Sequence, residues 1–413
     1  MEYGLLGGRL GHSWSKPIHN MLADYQYELY AVTPEQLREI MLSRAFRGLN
    51  VTIPYKKDVI PYCDEISEEA RQVGSVNTLV MGPDGRLRGY NTDLFGFLSM
   101  ARRKGIHLAG KKVAILGTGG TSLTAQAACR REGARETVVV SRGGPVDYAA
   151  LYREHADAEV IVNTTPVGMY PGNGEAPVQL DRFPRCQGVL DVIYNPLRTK
   201  LLLDAQARGI PCADGLWMLV AQAKKAAEYF IGRPIDDGEI RRVHAALRAQ
   251  MANLVLIGMP GCGKSTVGQA AARIMGRDFV DLDTEIEREA GMSIPDIFAR
   301  EGEAGFRARE RAAAERFGRE KSLVIATGGG VVKQETAMRA LCQNGEALWL
   351  RRPVELLATD GRPLSRDRET VKKLEKERAP LYEQYGAARI DNVDGVEEAA
   401  QRVTEAFYEA VDR

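Results

Sequence analysis

The chain has 413 residues, of which 44% are hydrophobic and 27% are charged, and its formal net charge is +1. This length predicts two or three domains with cores of their own, and the composition excludes a largely disordered chain. A charge so close to zero excludes a general attraction to nucleic acid or to an anionic membrane, so we expect neither as a partner.

The cysteines and the N-terminal sequence bear on the cellular compartment. The six cysteines show neither a C-x-x-C pair nor a cluster with zinc-like spacing, which favours reduced and mostly buried thiols. The N-terminus lacks a basic segment before an apolar one, and no run reaches the roughly 20 apolar residues of a membrane span. We therefore expect a cytoplasmic protein without a targeting signal or a membrane segment. No pattern indicates an oligomeric state.

The first 98 residues alternate short apolar runs with helix-like segments, which predicts an α/β domain. Pro83-Asp84-Gly85 separates the strand candidates 78–81 and 87–90 and is typical of a turn between two strands. Small polar residues cluster around glycines and prolines in four stretches: 11–20, 50–56, 74–78 and 91–93. Hydroxyl and amide groups of this kind bind polyhydroxylated acids, so we expect such a ligand here.

Residues 99–215 alternate strands with helical stretches, which favours a doubly wound parallel sheet. The strand candidates are 113–116, 137–140, 160–162 and 189–192. The first of them runs into Gly117-Thr118-Gly119-Gly120, which opens a helix and would hold phosphate on backbone N–H groups, although Ser122 replaces the third glycine of G-x-G-x-x-G. After the second strand stands Ser141-Arg142, where an NAD site would place an acidic residue. Arginine suits a ribose 2′-phosphate, which favours NADPH over NADH.

A second α/β unit follows a long helical stretch. One buried helix face is predicted by apolar residues at helical spacing, namely Leu216, Leu219, Val220, Ala223, Ala227 and Phe230. The pattern stops within 232–251 and restarts with the strand candidate 254–257. We therefore place a boundary near Met251, with a linker at 246–251 and a further domain at 252–413.

This further domain opens with a complete P-loop pattern, Gly258-x-x-x-x-Gly263-Lys264-Ser265, between a strand and a helix. Lys264 would neutralise phosphate charge, and the Ser265 hydroxyl would bind Mg²⁺. The residues expected to hold ATP or GTP here are Gly258, Gly261, Cys262, Gly263, Lys264, Ser265 and Thr266.

Two carboxylates, Asp281 and Asp283, end the next apolar run, and on a strand they would share one face. One could hold a metal-bound water while the other accepts a proton from a substrate hydroxyl. The alternative is that Asp283 is only the N-cap of a helix starting at Thr284.

Residues 1–245 resemble shikimate dehydrogenase. The resemblance is carried by the four polar stretches, the glycine loop and three further motifs: Asn163-Thr164-Thr165-Pro166-Val167-Gly168-Met169, Asp191-x-x-Tyr194-x-Pro196 and Gly215-Leu216-Trp217-Met218-Leu219-Val220-x-Gln222. It implies that Lys56 and Asp93 are the catalytic pair. It further implies substrate contacts from Ser13, Ser15, Thr52, Asn77, Asn91 and Gln222, NADP contacts from Gly117, Thr118, Gly119, Gly120, Ser141 and Arg142, and closure of the cleft by Tyr194 and Gly215. Without the motifs, Lys56 could be a solvated surface lysine and Asp93 a helix N-cap.

Residues 252–413 resemble shikimate kinase. The resemblance rests on the P-loop, Asp281-x-Asp283, Phe306-Arg307-x-x-Glu310, Gly328-Gly329-Gly330, Arg362-Pro363-Leu364 and Arg378-x-Pro380-Leu381-Tyr382. It implies that shikimate is bound by Asp283, Arg307, Gly328, Gly329, Gly330 and Arg378, and that Arg362 reaches nucleotide phosphates from a lid. Arg307 and Glu310 alone could be merely a surface pair at helical spacing.

Together these patterns predict a bifunctional enzyme that reduces 3-dehydroshikimate with NADPH and then phosphorylates shikimate with ATP and Mg²⁺, the metal being held by Ser265 and, through water, by Asp281. The expected fold is α/β throughout: a substrate domain at 1–98 and 216–245, a Rossmann-like NADP domain at 99–215, and a P-loop kinase domain with a parallel sheet. One alternative is a ligand-sensing regulator that binds such acids without turnover. Another is an enzyme that acts on a different acid, such as quinate with NAD.

Overall fold

The computed structural model describes residues 2–11, 13–357 and 368–412. They form two compact units, one comprising residues 1–194 and 199–244 and the other residues 195–198 and 245–413. In the described residues no helix combines the length and the apolar character that crossing a bilayer requires.

The first sheet of the first unit is mixed. Its strands are β1 (Tyr3–Gly7), β2 (Tyr27–Ala31), β3 (Gly48–Val51), β4 (Glu65–Ile66), β5 (Thr78–Met81) and β6 (Leu87–Tyr90), in the order β2-β1-β3-β5-β6-β4. The predicted turn at 83–85 joins β5 to β6 as an antiparallel pair. The helices of this part are α1 (Ser15–Leu22), α2 (Pro34–Ser43), α3 (Glu68–Val73) and α4 (Asp93–Arg103).

The second sheet of the first unit is parallel throughout. Its strands are β7 (Lys112–Leu116), β8 (Glu136–Val140), β9 (Val160–Asn163), β10 (Gly188–Asp191) and β11 (Cys212–Ala213), in the order β11-β10-β9-β7-β8, with helices α5 (Gly120–Glu132), α6 (Tyr148–Glu154) and α7 (Lys200–Ala207). Alternate residues of β7 enter different apolar clusters, with Val113 and Ile115 in one and Ala114 and Leu116 in the other. The strand is therefore buried on both faces, as expected for a parallel sheet covered by helices.

Two more helices close this part of the chain, α8 (Gly215–Ile231) and α9 (Gly238–Met251). The predicted apolar face of α8 is buried except at Leu219, which is partly exposed and lines a cavity described below. Residues 246–251, predicted as a linker, are helical and form the last turns of α9. Ile240, Val243, Leu247 and Met251 are all buried, so the helical apolar pattern continues through the whole segment.

The third sheet belongs to the second unit and is also parallel. Its strands are β12 (Asn253–Ile257), β13 (Phe279–Asp281), β14 (Val324–Ala326), β15 (Gly345–Arg351) and β16 (Ala388–Asp391), in the order β13-β14-β12-β15-β16. The helices are α10 (Lys264–Met275), α11 (Leu282–Ala290), α12 (Ile294–Arg319), α13 (Glu335–Gln343), α14 (Arg368–Tyr385) and α15 (Val396–Asp412). Gly302 has a positive φ of 69° and interrupts α12 with a kink.

Two candidate active sites

A cavity of about 730 Å³ lies in the first unit, and its lining comes from that unit alone. It collects residues from loops and helices that are far apart in the chain. The predicted substrate residues that line it are Ser13, Ser15, Thr52, Lys56, Asn77, Asp93, Tyr194, Gly215 and Gln222. Arg9 and Thr121, to which the sequence analysis gave no role, line it as well, and so does Asn50 of the predicted polar stretch 50–56.

Lys56 and Asp93 meet in this cavity. The Lys56 Nζ lies 2.6 Å from Asp93 Oδ2, and the side chains are 25% and 14% exposed. Asp93 occupies the first turn of α4, where the helix dipole favours a negative charge, and the N-cap of α4 is Thr92 rather than Asp93. Lys56 is therefore not a solvated surface lysine, and the pair can hold and transfer a proton at an enclosed position.

A buried polar network supports the cavity beside this pair. Asn77 donates through Nδ2 to Thr92 Oγ1 at 3.1 Å and accepts at Oδ1 from the Thr92 N–H at 2.8 Å. Thr92 in turn donates to Gln222 Oε1 at 3.3 Å. Thr92, named in the sequence analysis only as part of the stretch 91–93, thus links the predicted substrate residues Asn77 and Gln222 by hydrogen bonds.

The structure does not bring Asn91 into the cavity, which corrects the expectation that its side chain contacts substrate. Its Nδ2 donates to the Ser75 carbonyl at 3.0 Å and to the Ser75 hydroxyl at 3.1 Å, and its Oδ1 accepts from the Leu94 N–H. Because these partners occupy the buried amide, Asn91 holds the start of α4 against the loop at Ser75.

The glycine loop after β7 fits a dinucleotide phosphate. Gly117 has φ +106°, and a Cβ there would lie 2.8 Å from Thr164 Oγ1, whereas a Cβ at Gly119 or Gly120 would meet nothing within 4 Å. The N-cap of α5 is Gly119, which makes no side-chain capping bond, so a phosphate can approach the first turn of the helix. Ser141 and Arg142 follow β8, the strand paired with β7, and Arg142 is exposed.

A buried carboxylate, Asp191, joins the end of β9 to the loop after β10 by hydrogen bonds. Its Oδ1 accepts from Asn163 Nδ2 at 3.1 Å and from the Ile193 N–H at 3.1 Å, and its Oδ2 accepts from the Thr199 hydroxyl at 2.7 Å. Burial raises its pKa to about 7 despite these hydrogen bonds. The loop after β10 carries Tyr194 into the cavity, so Asp191 positions that loop.

A second cavity, of about 520 Å³, lies in the second unit and is lined by that unit alone. The predicted residues that line it are Gly261, Gly263, Lys264, Ser265, Thr266, Asp281, Asp283, Arg307, Gly328, Gly329, Gly330 and Arg378. Gly258 and Cys262 do not line it; the Cys262 side chain is buried, and a Cβ at Gly258 would clash with the Leu350 carbonyl. Arg362 lies outside the described residues.

Hydrogen bonds to its backbone carbonyls stabilise the phosphate loop. Lys264 Nζ donates to the carbonyls of Gly258 and Met259, both at 3.0 Å, and Gly263 begins α10 without a side-chain capping bond. Asn392 Nδ2 donates to the Cys262 carbonyl at 2.8 Å. The amides at the start of α10 thus remain available for phosphate, which fits a nucleoside triphosphate.

Asp281 and Asp283 do not share a strand face, because only Asp281 belongs to β13, and this corrects that part of the sequence analysis. The strand ends at Asp281, whose Oδ1 accepts from the N–H groups of Asp283 and Thr284 as the N-cap of α11. The capping residue is therefore Asp281 and not Asp283. Asp281 also accepts a hydrogen bond of 2.5 Å from Ser265 Oγ, an arrangement of oxygen atoms that fits Mg²⁺ with water between.

Four buried polar atoms in the lining lack a hydrogen-bond partner among the described residues: Asp283 Oδ1, Glu310 Oε1, Arg352 Nε and Arg378 Nε. Two of them accept and two donate. Buried polar atoms without partners are costly, so a ligand that offers hydroxyl donors together with anionic acceptors suits this cavity. Burial, together with the Asp281 charge, raises the pKa of Asp283 to about 6.

Arg307 and Glu310 are not a surface pair. Arg307 Nη1 lies 2.7 Å from Glu310 Oε2, and the Glu310 side chain is 1% exposed. Glu310 also accepts a hydrogen bond from Gln334. The sequence analysis gave Glu310 no separate role, although its place in the arginine motif pointed to it.

Each glycine of the 328–330 run allows one close approach in this cavity. A Cβ at Gly328 would lie 2.8 Å from both Asp283 Oδ1 and Glu310 Oε1, and a Cβ at Gly330 would lie 2.8 Å from Arg307 Nη1. A Cβ at Gly329 would lie 2.6 Å from Pro260 of the phosphate loop. The Gly329 carbonyl accepts from Arg378 Nη1 at 2.9 Å. The glycine run therefore allows the carboxylates, the two arginines and the phosphate loop to lie close together.

Two units, each with a glycine loop at a helix N-terminus and a polar cavity, define a nucleotide-dependent enzyme with two sites. A family model for the shikimate dehydrogenase substrate-binding domain matches residues 5–79, and one for shikimate kinase matches residues 260–408. A shikimate dehydrogenase (NADP(+)) of Clostridium perfringens strain SM101 is 34% identical over 268 residues, which cover 60% of this chain and 98% of that protein. The chain belongs to the shikimate dehydrogenase family and carries a shikimate kinase domain in addition.

Solved structures agree over the same part of the chain. A chorismate mutase/shikimate 5-dehydrogenase fusion protein from Clostridium acetobutylicum is 33% identical, with a TM-score of 0.56, and the match covers 60% of this chain and 96% of that one. Quinate dehydrogenase from Corynebacterium glutamicum in complex with NAD is 28% identical, with a TM-score of 0.55, and the match covers 60% of this chain and 99% of that one. The expected fold class and both enzyme domains are confirmed.

Proposed function

We propose that the chain reduces 3-dehydroshikimate to shikimate with NADPH in the first unit, and phosphorylates shikimate at its 3-hydroxyl with ATP and Mg²⁺ in the second. The observation that carries this proposal is the pair of polar cavities: the phosphate loop of the second unit lines one of them, and Thr121, directly after the glycine loop at 117–120, lines the other beside groups suited to a hydroxylated acid. NADPH supplies the hydride, and ATP with Mg²⁺ supplies the phosphoryl group.

In the first unit, Lys56 donates the proton that the carbonyl oxygen gains as the ketone becomes an alcohol, and Asp93, 2.6 Å away, orients the ammonium group. Asn77, Gln222, Ser13 and Ser15 present amides and hydroxyls to the ring substituents and the carboxylate. Gly117, Thr118, Gly119 and Gly120 would approach the pyrophosphate and Ser141 and Arg142 the 2′-phosphate. Arg142 is the reason to propose NADPH rather than NADH.

In the second unit, Asp283 accepts the proton of the attacking hydroxyl, and its unpartnered Oδ1 is available for that bond. Arg307 and Arg378 hold the carboxylate, since guanidinium groups match its geometry. Lys264 leaves its carbonyl partners to neutralise phosphate charge, and Ser265 with Asp281 would hold Mg²⁺.

The test is to incubate the protein with 3-dehydroshikimate, NADPH, ATP and Mg²⁺ and to measure shikimate 3-phosphate. Lys56→Ala is expected to slow the reduction by about a hundredfold or more while phosphorylation of added shikimate continues. Lys264→Ala is expected to do the reverse, by a similar factor. Loss of both activities from either single substitution in a folded protein would contradict two separate sites.

A second candidate substrate pair is quinate with NAD, which the likeness to a quinate dehydrogenase favours. The same assay distinguishes it when quinate and NAD replace shikimate and NADP in the oxidation direction. We expect the shikimate and NADP pair to have the higher kcat/KM, and Arg142→Asp to reduce the preference for NADP.

A further inference from the structure

We propose that Arg352 binds a phosphate group of the nucleotide in the second unit, a role that rests on the proposed kinase function. Arg352 lines the second cavity together with Lys264 and Thr266. Its Nε is buried and has no hydrogen-bond partner among the described residues. A buried guanidinium N–H without an acceptor is costly, so the site is completed by a ligand with anionic oxygens.

The sheet register places Arg352 beside the phosphate loop. Strands β12 and β15 are parallel neighbours, and Ile257 pairs with Trp349. One residue further along, Gly258 lies against the Leu350 carbonyl so closely that a Cβ would clash with it. Arg352 follows Leu350 by two residues, and it lines the same cavity as Pro260 and Gly261 of the phosphate loop.

Strand order distinguishes the nucleotide from the acid as the partner of Arg352. Asp283 comes two residues after the end of β13, the 328–330 glycines follow β14, and both strands lie on one side of β12. Arg352 follows β15, which lies on the other side of β12. The phosphate loop therefore separates Arg352 from these two acid-facing strand ends, and ligands of such sheets bind across the carboxyl ends of the strands.

The other two arginines of the cavity are already held in place. Arg307 pairs with Glu303 and Glu310, and Arg378 donates to the Gly329 carbonyl. Both contacts fix them beside the residues expected to bind the acid. Arg352 has no such contact among the described residues, and a planar guanidinium can bond to two phosphate oxygens at once.

The neighbouring residue Arg351 provides a matched control. Its Nη1 atom lies 3.7 Å from Asp391 Oδ1, and the two side chains are 41% and 49% exposed. Arg351 is absent from the cavity lining, so its removal deletes the same charge one residue away without touching the site.

The experiment measures binding of Mg²⁺–ADP and of a non-hydrolysable ATP analogue, without any acid present, to the full chain and to Arg352→Ala, Arg352→Lys and Arg351→Ala. Arg352→Ala is expected to weaken nucleotide binding about tenfold or more, as loss of a charged hydrogen bond does. Arg352→Lys should recover part of this loss, and Arg351→Ala should bind as the unsubstituted chain does. The KM for ATP should rise with Arg352→Ala while the KM for shikimate stays within about twofold.

Circular dichroism and the thermal unfolding of each variant report whether the second unit is folded. Unchanged nucleotide affinity in Arg352→Ala would overturn the proposal, as would a loss confined to shikimate affinity. The two proposals can fail separately. If Arg352→Ala weakens nucleotide binding but the unsubstituted chain does not phosphorylate shikimate, the phosphate contact is supported and the proposed substrate is contradicted.

Discussion

Hydrogen-bond partners distinguish two aspartates, one in each unit. Asp191 is the last residue of β10 and Asp283 lies in the first turn of α11, and burial raises the pKa of each. Asp191 has three hydrogen-bond donors around it and holds a loop, whereas Asp283 keeps one oxygen without a partner. The unpartnered oxygen, rather than the raised pKa, separates the group that can accept a substrate proton from the group that supports structure.

A pH profile tests the role of Asp283. A general base acts as the carboxylate, so a pKa of about 6 means that kinase kcat/KM falls as the pH falls through about 6 and reaches a plateau above it. Circular dichroism of the chain, measured over the same pH range, shows whether unfolding causes the acid limb. Asp283→Asn should reduce phosphorylation about a hundredfold or more at every pH, and a kinase profile that is flat across pH 6 would contradict the assignment.

Helix starts decide where the functional side chains lie. Asp214 caps α8 through a hydrogen bond of 2.9 Å from the Leu216 N–H, and Asp281 caps α11 in the same way. The two helices that follow the glycine loops have Gly119 and Gly263 as N-caps and no side-chain capping bond. In these four helices, the capped starts hold protein groups in place and the two glycine starts leave amides for phosphate.

The cap of α8 can be tested by substitution, because α8 carries Gly215, Leu219 and Gln222 into the first cavity. Asp214→Ala is expected to lower the free energy of unfolding of the first unit by about 1 kcal/mol. It should also raise the KM for shikimate in the dehydrogenase assay, because the start of α8 frays. Asp214→Asn, which keeps a capping oxygen, is the control, and equal effects of the two substitutions would show that the cap is not the cause.

At the scale of the whole molecule, each cavity is lined by one unit only. The product proposed for the first site is the substrate proposed for the second. Tethering raises the local concentration of an intermediate only modestly, and two cavities with separate linings require it to leave one and enter the other.

We therefore expect free shikimate to appear in solution during the coupled reaction. When 3-dehydroshikimate carries an isotope label and excess unlabelled shikimate is added, the label in shikimate 3-phosphate should fall in proportion to the unlabelled pool. The readout is mass spectrometry of the product. Label that resists dilution would indicate direct transfer and contradict this expectation.

The sequence by itself determined the features that neighbouring residues produce. Both glycine loops, the strand alternation around 112–191 and the hairpin at 78–90 depend on local periodicity and turn chemistry, and the structure contains all of them. The segment 246–251, predicted as a linker from the break in the α/β pattern, forms the last turns of α9, whose apolar residues are spread through a charged segment.

Only the tertiary structure decided which polar groups are satisfied within the chain and which await a ligand. The Asn91 amide forms hydrogen bonds with Ser75 and Leu94, and the buried Glu310 forms an ion pair with Arg307. Arg352 lies beside the phosphate loop because β15 pairs with β12. Burial and pairing of this kind depend on elements that are distant along the chain, and no local pattern of residues encodes them.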